Sequence, residues 1–475
     1  MILHIAKKEF TEALRDNKFR FCAGFVLLLL IFSMLVSWNY YQKVNQEYQQ
    51  ASQTARKQWE TQTPKNPHSA AHFGTFAFKP VQTLSLIDNG LDKYLGVSVF
   101  LEAHKQNTAA YKQIADQNDL ARFAELTPAF VFVYLLPLLI ILLAFNTFTA
   151  EKENDTLRLL LSQGVSFRQL AMGKVAGIWL LLAALLLPVF GLGFVFIAIA
   201  DSQFAAIGNY ILLIFSLIAY YAIFVNISVG VSAWAKSSNI SLVSLLGFWI
   251  VSALLLPKLT SNLSKTVYPT PSAISYQKQL KEDLEKGVDG HNPFSEKSKQ
   301  FEDSVLKANK VDSVHKLPFN YAGLSMQAGE EHETVVYARA LKNLNNIYFS
   351  QLNLYQSTAL FSPTILLKML SMQFAKTDLQ THYEFTQQAE NYRIALVRDL
   401  NYDLKDNSNY GDWDYISKDK DFFKKNVKFD YKPLSFSQTL ANTSMALALL
   451  MAWVLASLLL LQKATFLYVG NGRRP

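Results

Sequence analysis

Between Glu151 and Lys174 the chain reads Glu-Lys-Glu-Asn-Asp-Thr-Leu-Arg-Leu-Leu-Leu-Ser-Gln-Gly-Val-Ser-Phe-Arg-Gln-Leu-Ala-Met-Gly-Lys. Asp155 or Thr156 can cap a short helix, Gly164 can supply its left-handed stop, and Ser166 with Gln169 makes the S-x-x-Q capping box of a second helix. Val165 and Leu170 stand where a hydrophobic staple would pack. Leu157, Leu159, Leu160 and Leu161 make the stretch too apolar for a solvated loop. With Glu151, Glu153, Arg158 and Arg168 around them, they suit docking into a groove on a partner. The alternative is that the leucines pack onto the protein's own helix ends.

His68 and His72 are four residues apart, a spacing that puts two imidazoles on one helical face, and His104 could join them as a metal ligand. The surrounding residues read as loop, and no cysteine or paired carboxylate completes a set. The expectation is therefore hydrogen bonding within the fold and no bound metal. No G-x-x-x-x-G-K-[ST] occurs, so this chain does not itself cradle ATP phosphates, and no G-x-S-x-G or H-E-x-x-H supports a hydrolase. Gly191-Leu-Gly193 lies in an apolar run without a strand and turn, which suits close helix packing. Cys22, the single cysteine, allows no intrachain disulfide.

The elements that position these groups are apolar runs of membrane-crossing length, near Phe21 to Trp38, Pro128 to Phe148, Val175 to Ala200, Ile207 to Ala233, Ile240 to Pro257 and Met445 to Leu461. The first follows Lys7, Lys8, Arg15, Lys18 and Arg20 and ends in Trp-Asn-Tyr-Tyr, not in a small-residue cleavage pattern, so it is an uncleaved span. Net charge is +8 over 475 residues, but the basic residues concentrate beside these runs, where lipid headgroups would meet them, which argues against nucleic acid. Asn146, Ser216, Asn226, Ser228, Ser232 and Ser244 are the main polar groups at or within the spans and either line a path or join helices.

The implied fold class is an all-α membrane protein of about six transmembrane helices with a mostly helical extracytoplasmic domain and minor β structure. Residues 1–20 carry Ile2, Ile5, Ala6, Phe10, Ala13 and Leu14 at helical spacing and read as an amphipathic cytoplasmic interface helix. The first span follows at 21–38, and 39–126 form a first extracytoplasmic segment, helix-like over Gln42 to Gln62 and loop thereafter. Spans two to five occupy 127–257 and include a cytoplasmic segment, 151–174. A large extracytoplasmic domain covers 258–438, with helical spacing through Leu280, Leu284, Phe301, Val305 and Leu306 and a short strand at Asn426 to Tyr431. The sixth span is 439–461 and the cytoplasmic tail 462–475. Lys152, Arg158, Arg168 and Lys174, Lys236, and Lys463, Arg473 and Arg474 alternate onto one side with the N-terminus, which sets the orientation.

Glu-x-Glu-x-x-Thr-Leu-x-x-Leu-Leu-Ser, then Val-Ser and Gly-Lys ahead of a span, resembles the coupling-helix region of type-2 ABC exporter permeases. Glu151, Glu153, Thr156, Leu157, Leu160, Leu161, Ser162, Val165, Ser166, Gly173 and Lys174 match that pattern, and Arg168 flanks it. Asp155 stands where the family usually has Gly, which puts the closure of that turn in question. Pro67 to Gly74, Phe78-Lys-Pro80, Leu101-Glu-Ala-His104, Phe361-Ser-Pro363 and Ala389-Glu-Asn-Tyr392 extend the resemblance to a bacterial subgroup with a large extracytoplasmic domain.

The resemblance implies a non-enzymatic permease subunit in a bacterial inner membrane, exporting a substrate. It also implies a separate ABC ATPase that binds ATP and Mg, and a second permease chain, identical or sibling. The rival expectation is mechanotransmission, in which the extracytoplasmic domain moves against an envelope partner and no substrate crosses. Single-cysteine labelling in spheroplasts, after replacing Cys22, tests the orientation: an impermeant reagent should label position 295 and spare position 162, and the reverse pattern overturns it.

Overall fold

The computed structural model describes residues 1–112, 126–412, 414–417, 422–425 and 428–470. Among these, six helices are long and apolar enough to cross a membrane: Asn17–Glu60, Pro128–Glu153, Phe167–Ala200, Ile207–Trp234, Ser238–Val267 and Phe436–Phe466. Side chains begin several of them. Asp16 accepts from the Lys18 N–H, Thr127 from that of Phe130 just after Pro128, and Ser237 from that of Ile240, each meeting a helix-end donor that has no partner within its own helix.

Outside the spans, the helices used below are α1 (Ile2–Arg15), α2 (Pro67–Phe73), α3 (Thr156–Ser162), α4 (Ala273–Leu284), α5 (Glu296–Asn309), α6 (Tyr321–Ser357), α7 (Pro363–Ala375) and α8 (Leu379–Asn407). Strands β1 (Thr75–Phe78), β2 (Ser98–Glu102) and β3 (Lys105–Gln106) form an antiparallel sheet in that order, with Thr75 opposite Leu101 and Leu101 opposite Gln106.

The second and fifth spans each contain a π turn, Val131–Leu135 and Val251–Leu255, ending two residues before a proline. Pro137 has no N–H to give the Val133 carbonyl, and the Leu136 N–H bonds Val131, so Phe132 loses its helical donor as well. Two tyrosines of the fourth span replace the missing donors. The Tyr220 hydroxyl donates to the Val133 carbonyl at 3.0 Å and the Tyr221 hydroxyl to that of Phe132 at 3.1 Å. In the fifth span the Leu256 N–H likewise bonds Val251, and the Ser252 carbonyl accepts instead from the Ser362 hydroxyl at 2.7 Å. Thr364 joins the two repairs, with its hydroxyl 3.0 Å from that of Tyr220 and 3.1 Å from that of Ser252.

Ser362 and Thr364 begin α7, whose Leu366, Leu367, Leu370 and Phe374 are buried in the same core as the spans. This helix packs against the fourth and sixth spans. The region expected to stand apart as 258–438 thus inserts one helix into the bundle. The first span likewise does not stop near Trp38. It continues unbroken to Glu60, 44 residues in all, so the helical stretch at Gln42 to Gln62 is its extension.

Other expectations change with the structure. The strand expected at Asn426 to Tyr431 is not formed over 428–431, and 426–427 lie outside the described residues, as do Arg473 and Arg474. The β structure lies in 75–106, which read as loop, because its strands are only two to five residues long and too short for a clear alternation. The stretch with His68 and His72 is helix α2, capped by Asn66 with Pro67 at its first position. Pro64 and Pro67 made it read as loop, whereas proline is favoured at a helix start.

Tyr220→Phe should lower stability by about 1 kcal/mol, the net worth of a buried hydrogen bond. Thermal unfolding in detergent, with the half-exposed Tyr402→Phe as control, reads the difference.

Candidate functional site

Glu151, Lys152 and Glu153 each reach a different helix. Glu151 accepts from the Lys174 ammonium of the third span at 2.8 Å. Lys152 donates to the carbonyls of Ala233 at 2.6 Å and Ala235 at 3.0 Å, groups left without donors where the fourth span ends. Glu153 accepts from the Ser238 N–H at 2.7 Å and its hydroxyl at 2.9 Å, at the N-terminus of the fifth span, where a negative charge is favoured. The Ser232 hydroxyl also accepts from the Phe148 N–H at 3.0 Å. The end of the second span is therefore tied to the third, fourth and fifth.

Beyond this knot, α3 projects. Asp155 adopts φ +56°, the left-handed conformation a glycine would take, and its side chain makes no capping bond to α3. Aspartate tolerates this region, so the departure from the family pattern leaves the turn's handedness intact. Gly164 takes φ +82°, and Ser166 with Gln169 completes both hydrogen bonds of a capping box. Leu157 is buried and Leu160, Leu161 and Val165 are partly buried against the span core. Leu159 is the exposed one, at 60%, and Thr156, Ser162, Ser166 and Arg168 are exposed around it. The leucines thus divide, with Leu157, Leu160 and Leu161 packed on the protein's own helix ends and Leu159 left exposed.

Helix α1 lies against the start of the third span, where Gly173 and Gly177 are four apart. A Cβ on Gly173 would fall 2.5 Å from the Ile5 Cβ, and one on Gly177 would fall 2.6 Å from that of Glu9, so only glycines admit this approach. The apolar side of α1, with Ala6 fully buried, faces its own bundle. The periodicity alone had suggested a lipid surface. Between the glycines, Lys174 is 1% exposed. Its ammonium donates to Glu9 and Glu151, each at 2.8 Å, and sits 5.3 Å from the Phe148 ring centroid, so one buried cation links α1 to the Glu151 knot.

At the other end of the bundle, the structure brings His68, His72 and His104 together with His291, which no local pattern singled out. His68 and His72 share one face of α2. His104 turns between β2 and β3 at φ +61°, and His291 follows the loop after α4. Gly290 makes that approach feasible, since a Cβ there would lie 2.9 Å from the Met326 Cα of α6. The four side chains place one ring nitrogen each within 4.8 Å of one another. Nε2–Nε2 separations are 3.1 Å for His68 and His72, 3.4 Å for His68 and His291, 3.5 Å for His68 and His104 and 2.8 Å for His104 and His291.

A second layer orients the rings. His68 Nδ1 lies 3.1 Å from Asn401 Oδ1, and Asn401 in turn donates to Gln327. His104 Nδ1 is 2.9 Å from Glu333 and 3.3 Å from Glu330, and Glu330 pairs with the buried Arg393 at 3.0 Å. Burial pushes His68 down to about 3, against the Asn401 hydrogen bond and with help from the neighbouring imidazoles. Burial and the charge of His104 lower His72 and His291 as well. Burial also opposes charge on His104, but the Glu333 hydrogen bond and the carboxylates of Glu330 and Glu333 outweigh it and raise that pKa.

Six apolar helices, a knot of ion pairs at one end and a helical domain at the other define a multi-pass membrane protein. Residues 95–253 match the ABC-2 family transporter proteins and 273–432 a domain of unknown function, DUF3526. The first match covers about a third of the chain and makes that stretch similar to the transmembrane subunits of ABC-2 transporters, with the second, uncharacterised domain following it. A search of the curated proteins gives no match.

Lys174→Met should leave Glu9 and Glu151 facing each other unpaired at a cost of about 3 kcal/mol. Hydrogen exchange should then show α1 released from the third span, and Glu9→Gln added to Lys174→Met should cost less than the sum of the two alone.

Proposed function

We propose that this chain is half of an exporter in a bacterial inner membrane, with both termini cytoplasmic, paired with a second permease chain and driven by a separate ABC ATPase that binds ATP and Mg. The ATPase docks on residues 151–174, with α3 as the contact. The observation that carries this reading is the division of labour in that segment. Glu151, Lys152 and Glu153 anchor it to the third, fourth and fifth spans, while Leu159, Thr156, Ser162 and Arg168 stay exposed. A push on α3 would thus reach several spans as a rigid-body displacement. A groove of about 730 Å³ between the extension of the first span and the β-sheet, lined by Tyr40, Tyr48, Phe76 and Lys43 among others, offers amphipathic cargo a place at the far side.

One observation favours mechanotransmission as the second reading. At 1.5 Å per residue the 44-residue first helix is about 66 Å long, roughly twice the hydrocarbon thickness. Near its far end Trp59 is buried against Phe423, with ring centroids 5.5 Å apart. Such a helix could carry movement to an envelope partner with no cargo crossing.

Leu159→Asp should abolish co-purification with the ATPase, whereas Arg168→Glu should weaken it only modestly, since a central apolar anchor commonly outweighs a rim charge by about 2 kcal/mol. Leu160→Asp, half buried against the span core, should instead lower thermal stability. Full ATPase binding and ATP turnover in a normally inserted Leu159→Asp variant would reject the docking site. ATP-dependent substrate accumulation in inside-out vesicles separates export from mechanotransmission.

A further inference from the structure

We propose that His68, His72, His104 and His291 hold one resident divalent transition-metal ion of the zinc class, clasping residues 67–106 to the domain formed by 273–407. The geometry carries the assignment. A tetrahedral ion with metal–nitrogen bonds of about 2.0–2.1 Å sets its ligand nitrogens about 3.3 Å apart; four of the six Nε2 separations run from 2.8 to 3.5 Å, and one nitrogen from each ring lies within 4.8 Å of the others. The rings enter from three separate elements, α2, the β2–β3 turn and the loop before α5.

The outer contacts point the same way. His68 Nδ1 lies against Asn401 and His104 Nδ1 against Glu333, which turns the Nε2 atoms of both rings toward one centre, 3.5 Å apart. An outer carboxylate or amide on the second ring nitrogen is the usual support of a metal-bound imidazole. Glu330, Glu333 and Glu390 outnumber the guanidinium of Arg393 beside the cluster, which favours a cation there. Four imidazole nitrogens suit a tetrahedral d¹⁰ ion better than an octahedral oxygen-seeking ion. His104 at φ +61° pays backbone strain to reach the centre.

The test uses the full-length chain in detergent, stripped by chelator and titrated with Co²⁺, whose visible bands report tetrahedral coordination, and then with Zn²⁺. Expected are one Co²⁺ per chain with intense tetrahedral bands, displacement by one equivalent of Zn²⁺, and a melting temperature several degrees higher with metal than without. His291→Ala lies in an exposed loop where folding is not at stake. It should abolish the bands and weaken Zn²⁺ binding at least about 100-fold, while Glu333→Gln, a positioning change, should keep the bands and weaken binding about 10- to 100-fold. His315→Ala, exposed and outside the cluster, should change nothing. No tetrahedral spectrum in the stripped wild-type chain, or unchanged Zn²⁺ affinity in a His72→Ala, His291→Ala double variant, would overturn the proposal and leave a proton-shared imidazole network in its place.

Discussion

In hydrocarbon a backbone carbonyl without a donor has no water to turn to, so every break in a spanning helix must be repaired from within the protein. Pro137 and Pro257 impose that problem twice, and both spans answer with a π turn and a hydroxyl borrowed from elsewhere. Tyr220, Tyr221 and Ser362 are those hydroxyls, and Thr364 stands between the two repairs. Since Ser362 and Thr364 open α7, the domain at the far end of the bundle is fixed to the second, fourth and fifth spans by the same bonds that keep those spans intact.

The opposite end is organised by charge. Glu151-Lys152-Glu153 satisfies a buried ammonium, the last carbonyls of the fourth span and the first amide of the fifth in three successive residues. Alternating signs are what this requires, because the C-terminal end of one helix attracts a cation and the N-terminal end of another an anion. Lys174 then needs the narrow gap that Gly173 and Gly177 leave for α1. Under the coupling reading, the matched acids Glu151 and Glu153 act by transmitting force inward, and contact with an ATPase falls to Leu159 and its exposed neighbours.

Between these ends the histidine cluster and Trp59 mark where two segments far apart in the chain become one domain. His68 and His104 come from the first, His291, Glu333 and Asn401 from the second. The Arg393 guanidinium, bonded to Glu330, Glu390 and the Glu102 carbonyl, sits at the same seam. A metal there would resist separation of the two segments during any cycle of span movement.

Apolar runs longer than a soluble core helix tolerates made the six spans legible from sequence, and capping chemistry made the hinge at Gly164 and Ser166 legible as well, because both signals are local. The Glu-x-Glu pattern and the His68–His72 spacing were visible too, but their meaning was not. Which of Leu157, Leu159 and Leu160 faces outward depends on where the other spans end, and the partners of Glu151, Lys152 and Glu153 lie up to 85 residues away. His291 joins His68 across 223 residues, with nothing beside it in the chain to announce a ligand. Spans and caps were determined by the sequence alone, since hydrophobic length and helix-end hydrogen bonding act within a few residues. The knot, the inserted helix α7 and the four-histidine cluster were decided only by tertiary structure, since packing brings together groups that no local spacing relates.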